Sequence, residues 1–358
     1  MMKNQNKHFT RKSLLRYLGF TLLFVTISIF SLQFLLHQFN DITFSELHIF
    51  SKNALAQMLI LLFAYVVIDG FRLYFILRTL KENIVFPYVL ILTFINFFIC
   101  NITPFTIGGA FAMIYFLNKQ GLSIGKAAAV TSLKSFLASS FNMMLIPFAL
   151  YIVLTGVSGD ESVKKAALFF PLVLIGYILF IVLLFKVLKH KEKIKSLIYK
   201  LYKWLYSKKI ISSNTFYKSY KSITKQVDSF ASTFREFFGG LPRYILLSFI
   251  STIFYYFALY AFSVIMSSDL GLDIPALEIM ANQAVATFIM YFGVTPGGSG
   301  FAEGGYVYLF SKIVDSEIIL AALTFYWRLF TVYITSAIGG VFFFIEIIRL
   351  HQRKRKNA

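Results

Sequence analysis

The chain has 358 residues, 58% of them hydrophobic and only 14% charged, with a mean hydropathy of +0.72 and a formal net charge of +19. A soluble domain carries about 25% charged residues, so the composition excludes a water-soluble globular protein and defines an integral membrane protein. One cysteine, Cys100, excludes a disulfide framework, and the histidines (His8, His37, His48, His190, His351) lie apart in tails and loops, so neither metal nor cofactor is expected.

In chain order, the first apolar segment, 14–36, follows a basic stretch but runs past Phe30 without a small-residue cleavage site, and reads as a retained helix. Apolar helices are predicted next at 54–78, 123–154, 164–188, 243–266 and 316–348, each near the ~20 residues that cross a bilayer core. Two further apolar regions, 86–118 and 275–313, are interrupted by proline and glycine. Residues 189–240 open with KIKSLIYKLYKWLYSKK, aromatic and aliphatic residues alternating with lysine. This is a basic amphipathic connector expected to lie along the inner headgroup surface. The predicted fold is an all-α integral membrane protein with about six full spanning helices and two inverted broken or re-entrant hairpins. It forms one polytopic domain, 1–358. A first half, 13–188, holds the 86–118 hairpin; the connector takes 189–242; a second half, 243–350, holds the 275–313 hairpin.

Orientation follows from the cations. Lys3, Lys7, Arg11, Lys12 and Arg16 precede the first helix, residues 186–243 carry 14 Lys/Arg against three acids, and the chain ends RLHQRKRKNA. Placing all three regions in the cytosol puts acid-rich 37–53, 155–163 and 267–274 outside, so both termini are expected to be cytoplasmic. Cations gathered just outside apolar segments match anionic lipid headgroups, and no nucleic-acid partner is expected.

Asn101-Ile-Thr-Pro-Phe-Thr-Ile-Gly-Gly109 interrupts the first region and Thr295-Pro-Gly-Gly-Ser-Gly300 the second. Aligning Thr103-Pro104 on Thr295-Pro296 also aligns Gly108 with Gly300, and the following helices carry Lys134 and Arg328 at nearly matching places. With the orientation above, the first hairpin enters from the cytosol and the second from outside, the layout of many transporters built from inverted repeats. Proline removes a backbone donor and glycine permits non-helical angles. Such breaks survive in lipid only when buried in protein or lining a wet cavity. The N–H groups freed at the arm beginning near Ser299 suit an anion such as phosphate.

A charge at the centre of a spanning helix costs about 2.5–3.5 kcal/mol. Glu303, Asp69 and Arg328 sit deep enough to incur much of that, while Arg72, Arg78 and Lys134 are placed nearer the cytosolic headgroups. Asp69 and Arg72 share a helix face, leaving open a plain salt bridge or a functional pair. Glu303 has no local cation, and Arg328 is its expected partner. The candidate substrate-binding set is therefore Glu303, Arg328, Ser299, Gly297, Gly298, Gly300, Thr295, Asp69, Arg72, Lys134, Gly108 and Gly109, with Tyr306 and Tyr308 offering further hydroxyls.

The stretches TPGGSGFAE (295–303), YWRLFTVYITSAIGG (326–340) and NITPFTIGGAFAMIYFLNKQGLSIGKA (101–127) carry a resemblance to the transmembrane region of bacterial lysylphosphatidylglycerol synthases, over roughly residues 10–350. The resemblance implies an inverted pair of re-entrant hairpins, a bacterial cell-membrane location and movement of a lipid between leaflets. Many relatives carry an acid and an arginine where this chain has Ala110-Phe-Ala-Met113, and an arginine near Lys134, which implies a different headgroup at the first half-site. Full-length synthases add a cytosolic domain that lysylates phosphatidylglycerol. This chain stops at Ala358, so a lysyltransferase label is expected to be inherited from the longer proteins.

Three functions stand beside one another. The leading one is a flippase-like translocator with a polar groove at the two breaks, taking an anionic or aminoacylated phospholipid or a polyprenyl-phosphate lipid. The second is aminoacyl or acyl transfer to lipid. It lacks support because Ser299 is outside a G-x-S-x-G elbow and no histidine lies in a spanning helix. The third is a scaffold whose basic connector recruits a lipid-modifying enzyme; homo-oligomerisation also stays open. No G-x-x-x-x-G-K-[ST] loop is present, so direct ATP use is not expected.

Overall fold

The computed structural model describes residues 46–155, 170–208 and 212–356, together with Thr26 and Leu168. Apart from Thr26, the predicted helix at 14–36 lies outside the described residues. Among the described residues the fold is all-helical, in chain order α1 (Lys52–Thr79), α2 (Phe86–Asn101), α3 (Gly108–Lys119), α4 (Ile124–Thr155), α5 (Phe170–Lys189), α6 (Lys191–Ser207), α7 (Ser213–Phe238), α8 (Pro242–Asp269), α9 (Ala276–Met290), α10 (Phe301–Phe310), α11 (Glu317–Arg328) and α12 (Thr335–Lys356). Helices α1, α4, α8 and the continuous run Glu317–Leu350 are each long and apolar enough to cross a membrane. Apolar α5 joins α6 at a bend of 84°.

Local chemistry sets the ends. Ser51 caps α1, its hydroxyl accepting from the Ala54 N–H, while Pro87 and Pro242 stand in the first turns of α2 and α8, where a missing N–H costs nothing. Ser51 also donates to Asp269 at the far end of α8, from its N–H at 2.8 Å and its hydroxyl at 2.5 Å. At the opposite end of α1, Thr79 lies against Gly240, just before α8. These two contacts make α1 and α8 antiparallel, so the hairpins that follow them leave from opposite ends of the bundle.

The hairpin arms are short. Helix α2 has 16 residues and α3 12, while α9 has 15 and α10 10. At 1.5 Å per residue the longest is about 24 Å, short of a core about 30 Å thick. The arms of each hairpin pack on one another, as re-entrant elements do. Each hairpin also crosses to the other half: α2 packs on α12, and α9 packs on α4. Gly339 and Gly340 make the first crossing close, because a Cβ on Gly339 would overlap the Phe94 carbonyl oxygen. Gly339→Ala is therefore expected to lower stability by about 1–3 kcal/mol, read as an earlier thermal unfolding midpoint of the solubilised protein.

Two hydrophobic clusters result. One joins the first half of α1 to α8–α11; the other joins the second half of α1 to α2, α3, α4 and the inner faces of α7 and α12. The connector, expected to lie along the inner headgroup surface, folds as a helical hairpin, α6–α7, with α7 docked on the start of α4. Gly125 donates to Gln226 Oε1 at 2.7 Å, Ser123 meets Ser229 at 2.7 Å, and Phe234 and Phe237 are buried. Between α6 and α7, hydrogen bonds from Lys191 and Lys195 hold the Asp228 carboxyl below its ordinary pKa.

Candidate functional site

The two breaks share one backbone from the threonine through the two residues after the proline. Thr103 and Thr295 are extended, Pro104 and Pro296 each open a three-residue 3-10 turn, and the next two residues are left-handed in both. Phe105 and Thr106 have φ of 54° and 56°; their counterparts Gly297 and Gly298 have 62° and 67°. The second tip uses glycine where the geometry calls for it, whereas the first holds two side chains at angles costing roughly 1–2 kcal/mol each. Phe105, 54% exposed, loses little burial on truncation. Phe105→Gly is expected to match or exceed the native stability, whereas Gly297→Ala loses about 1–2 kcal/mol; comparing the two unfolding midpoints checks this.

The tips touch. A Cβ on Gly297 would stand 3.3 Å from the Asn101 carbonyl oxygen, and the Asn101 side-chain amide donates to Ser336 Oγ at 2.8 Å. The sequence expects a polar groove between the hairpins; this conformation has backbone contact there, because glycine at the second tip permits it.

Around the tips the candidate residues form two ionic clusters. In the first, Glu303 Oε1 lies 2.7 Å from Arg328 Nε, both residues buried. Arg328 Nη2 also donates to the Gly297 carbonyl at 3.1 Å and to Ser299 Oγ at 3.4 Å, and Thr295 Oγ1 donates to the Ser299 carbonyl at 2.6 Å. Glu303 Oε2 accepts from the Gly300 N–H at 2.7 Å. The start of α10, expected to offer its amides to an anion, is thus partly occupied by its own glutamate. Arg328 Nη1 is buried and without a hydrogen-bond partner among the described residues. One residue beyond it, Leu329–Ile334 winds as a π-helix, a local widening common at functional sites.

In the second cluster Asp69 serves two cations. Its Oδ1 lies 2.7 Å from Arg72 Nη1 and its Oδ2 2.5 Å from Lys134 Nζ. Arg72 donates further to Thr252 Oγ1 at 3.3 Å and covers the Tyr255 ring at 4.3 Å. Arg72 and Lys134 are both buried, helix packing directing them inward onto Asp69. Arg78 alone keeps a partly open position, bonded to Asn83 Oδ1. The triad holds two cations and one carboxylate.

The remaining candidates serve packing. Gly108 donates to Thr103 Oγ1 at 3.0 Å, Gly109 abuts Asn96 and Cys100, and Gly298 lies against Met290. Tyr306 does not offer its hydroxyl to the charges. It stacks on Phe310 and Trp327 and meets Ser263, which donates to Gln283 Oε1. Tyr308 is 39% exposed, with Lys312 Nζ 5.3 Å from its ring centroid.

Sequence reasoning passed over Gln283, Ser263, Thr252 and Tyr255. The Asn282-Gln283 pair in an otherwise apolar α9 was the available signal. It also passed over a lateral groove of about 120 Å³ between α4, α8 and α9, lined by apolar side chains and rings such as Phe141, Leu145, Phe148, Tyr256 and Leu277. Tyr256, in its wall, shares a 3.0 Å hydroxyl contact with Tyr291, which ends α9 just before the second break.

Antiparallel repeats, paired intramembrane hairpins and buried ionic clusters at their tips define a multi-pass α-helical membrane protein of inverted-repeat design. The chain belongs to the family of the lysylphosphatidylglycerol synthase transmembrane region, which it matches over residues 10–339. It is similar to a UPF0104 membrane protein of Archaeoglobus fulgidus, with 25% identity over 296 residues, 80% of this chain and 86% of the relative.

Proposed function

We propose that the protein moves a phosphate-bearing lipid between the leaflets of the cell membrane, with both termini on the cytosolic side. The observation that carries this reading is the Asp69–Arg72–Lys134 triad. Two buried cations on one carboxylate leave a surplus positive charge inside a membrane protein. An unpaired buried charge is costly, and an arriving phosphate would compensate it.

The surroundings fit an amphiphile. The apolar groove offers a path for an acyl chain, and Tyr256 in its wall adjoins Tyr255, whose ring lies under Arg72. A lipid tail in the groove would thus bring its headgroup toward the triad and the tips. Passage then requires the Gly297–Asn101 contact to open, with glycine angles and the π-helical turn absorbing the change. The substrate class is a phospholipid, an aminoacyl-phospholipid or a polyprenyl-phosphate lipid.

The test is reconstitution into vesicles holding headgroup-labelled lipids, with an impermeant quencher added outside. Protein-dependent movement of an anionic or zwitterionic lipid is expected. Labelled headgroups that stay where they were placed, for every such lipid, would end the proposal.

A further inference from the structure

Helix α6 starts within two residues of the end of apolar α5 and runs at 84° to it. If α5 crosses the bilayer, α6 lies in the plane of its headgroups. One side of α6 is used by α7: Lys191 and Lys195 bind Asp228, and the rings of Tyr199, Tyr202 and Tyr206 meet Phe216. The opposite side has no protein against it among the described residues. Leu197, Leu201 and Trp204, spaced i, i+4, i+7, fall on one stripe there and are 65%, 55% and 53% exposed.

We infer that this stripe is an anionic-membrane-binding face, with Leu197, Leu201 and Trp204 entering the headgroup–acyl boundary and Lys193, Lys200 and Lys208 flanking them at the phosphates. At 100° per residue those three lysines fall on the same side of the helix as the stripe, and no Asp or Glu does. Lysine stems reach past apolar neighbours to place the ammonium in the polar layer, and each cation near an anionic leaflet adds attraction that salt weakens. An indole settles at that same boundary. A second copy of the chain is a poor occupant, because a symmetric contact would set the three lysines against themselves. This inference stands apart from lipid translocation, since it concerns the outer face of the connector alone.

Trp204 makes the test direct, because the chain has two tryptophans and Trp327 is only 2% exposed. The full chain is placed in nanodiscs of brominated phosphatidylcholine, with and without phosphatidylglycerol. The difference between the unaltered protein and Trp204→Phe isolates the Trp204 emission. Blue-shifted emission quenched by the bromines is expected, and quenching should fall by about half or more when the anionic lipid is omitted or salt is raised. The Lys193→Gln/Lys200→Gln/Lys208→Gln variant should behave in anionic discs as the native protein does in neutral ones. Should the variant not fold, the lipid series on the native chain gives the same reading. Quenching indifferent to phosphatidylglycerol overturns the inference. So does Trp204 that escapes the bromines and is reached by aqueous acrylamide, or that is covered by a crosslinkable second chain.

Discussion

Asp69→Asn is expected to destabilise the protein by about 3–5 kcal/mol, and Lys134→Met to leave it folded but unable to move lipid. The contrast comes from counting charge. Asp69 is the shared counter-ion of Arg72 and Lys134, bonded to each through a different oxygen. Neutralising it strands two cations in the protein interior, and removing one partner of a buried ion pair costs about that much. Lys134→Met removes the surplus cation instead and leaves Asp69 and Arg72 matched one to one. A well-packed apolar replacement of a buried ion is often neutral or stabilising. Thermal unfolding of the solubilised protein and the vesicle assay separate the outcomes. A Lys134→Met variant that still moves phosphate-bearing lipid would remove the triad from the proposed mechanism.

Glu303→Gln is the second large effect. Glu303 holds Arg328 through one oxygen and the Gly300 N–H through the other. Glutamine retains an oxygen for the amide but loses the charge, so Arg328 is left uncompensated and a loss of about 3–5 kcal/mol is expected. Arg328→Met alone strands the carboxylate and should cost a similar amount. The Glu303→Gln/Arg328→Met double variant strands neither charge, so it should recover most of that stability while remaining inactive. A double-mutant cycle reads the coupling directly. Additive single effects would mean that the pair does not hold the second tip.

These predictions rest on features of unequal legibility. Both breaks could be read because proline and glycine interrupt an apolar run, and from the threonine through the two residues after the proline their backbones match. Arg328 as the partner of Glu303 was also readable, since an unmatched acid in lipid needs a cation and the next helix supplies one. Lys134 joining Asp69 was not. The two residues are far apart in the chain and each has a plausible local setting, so only the packing of α4 against α1 brings them together. Helix α7 docked on α4 was hidden for a related reason: a basic amphipathic sequence suits a membrane surface and a protein surface alike.

The sequence by itself determined that this is an all-helical membrane protein, where its apolar helices and breaks fall, and that the breaks come as a pair. Those properties depend on hydrophobicity, proline and glycine along a local stretch, and lipid leaves a backbone few other choices. Only the tertiary structure decided that the hairpin tips meet, that the first arm of each hairpin packs on the long helix of the other half, and that Asp69 serves two cations. Those are contacts between residues distant in sequence, set by how small residues such as Gly297 and Gly339 let backbones approach, and no local pattern encodes which backbone they will meet.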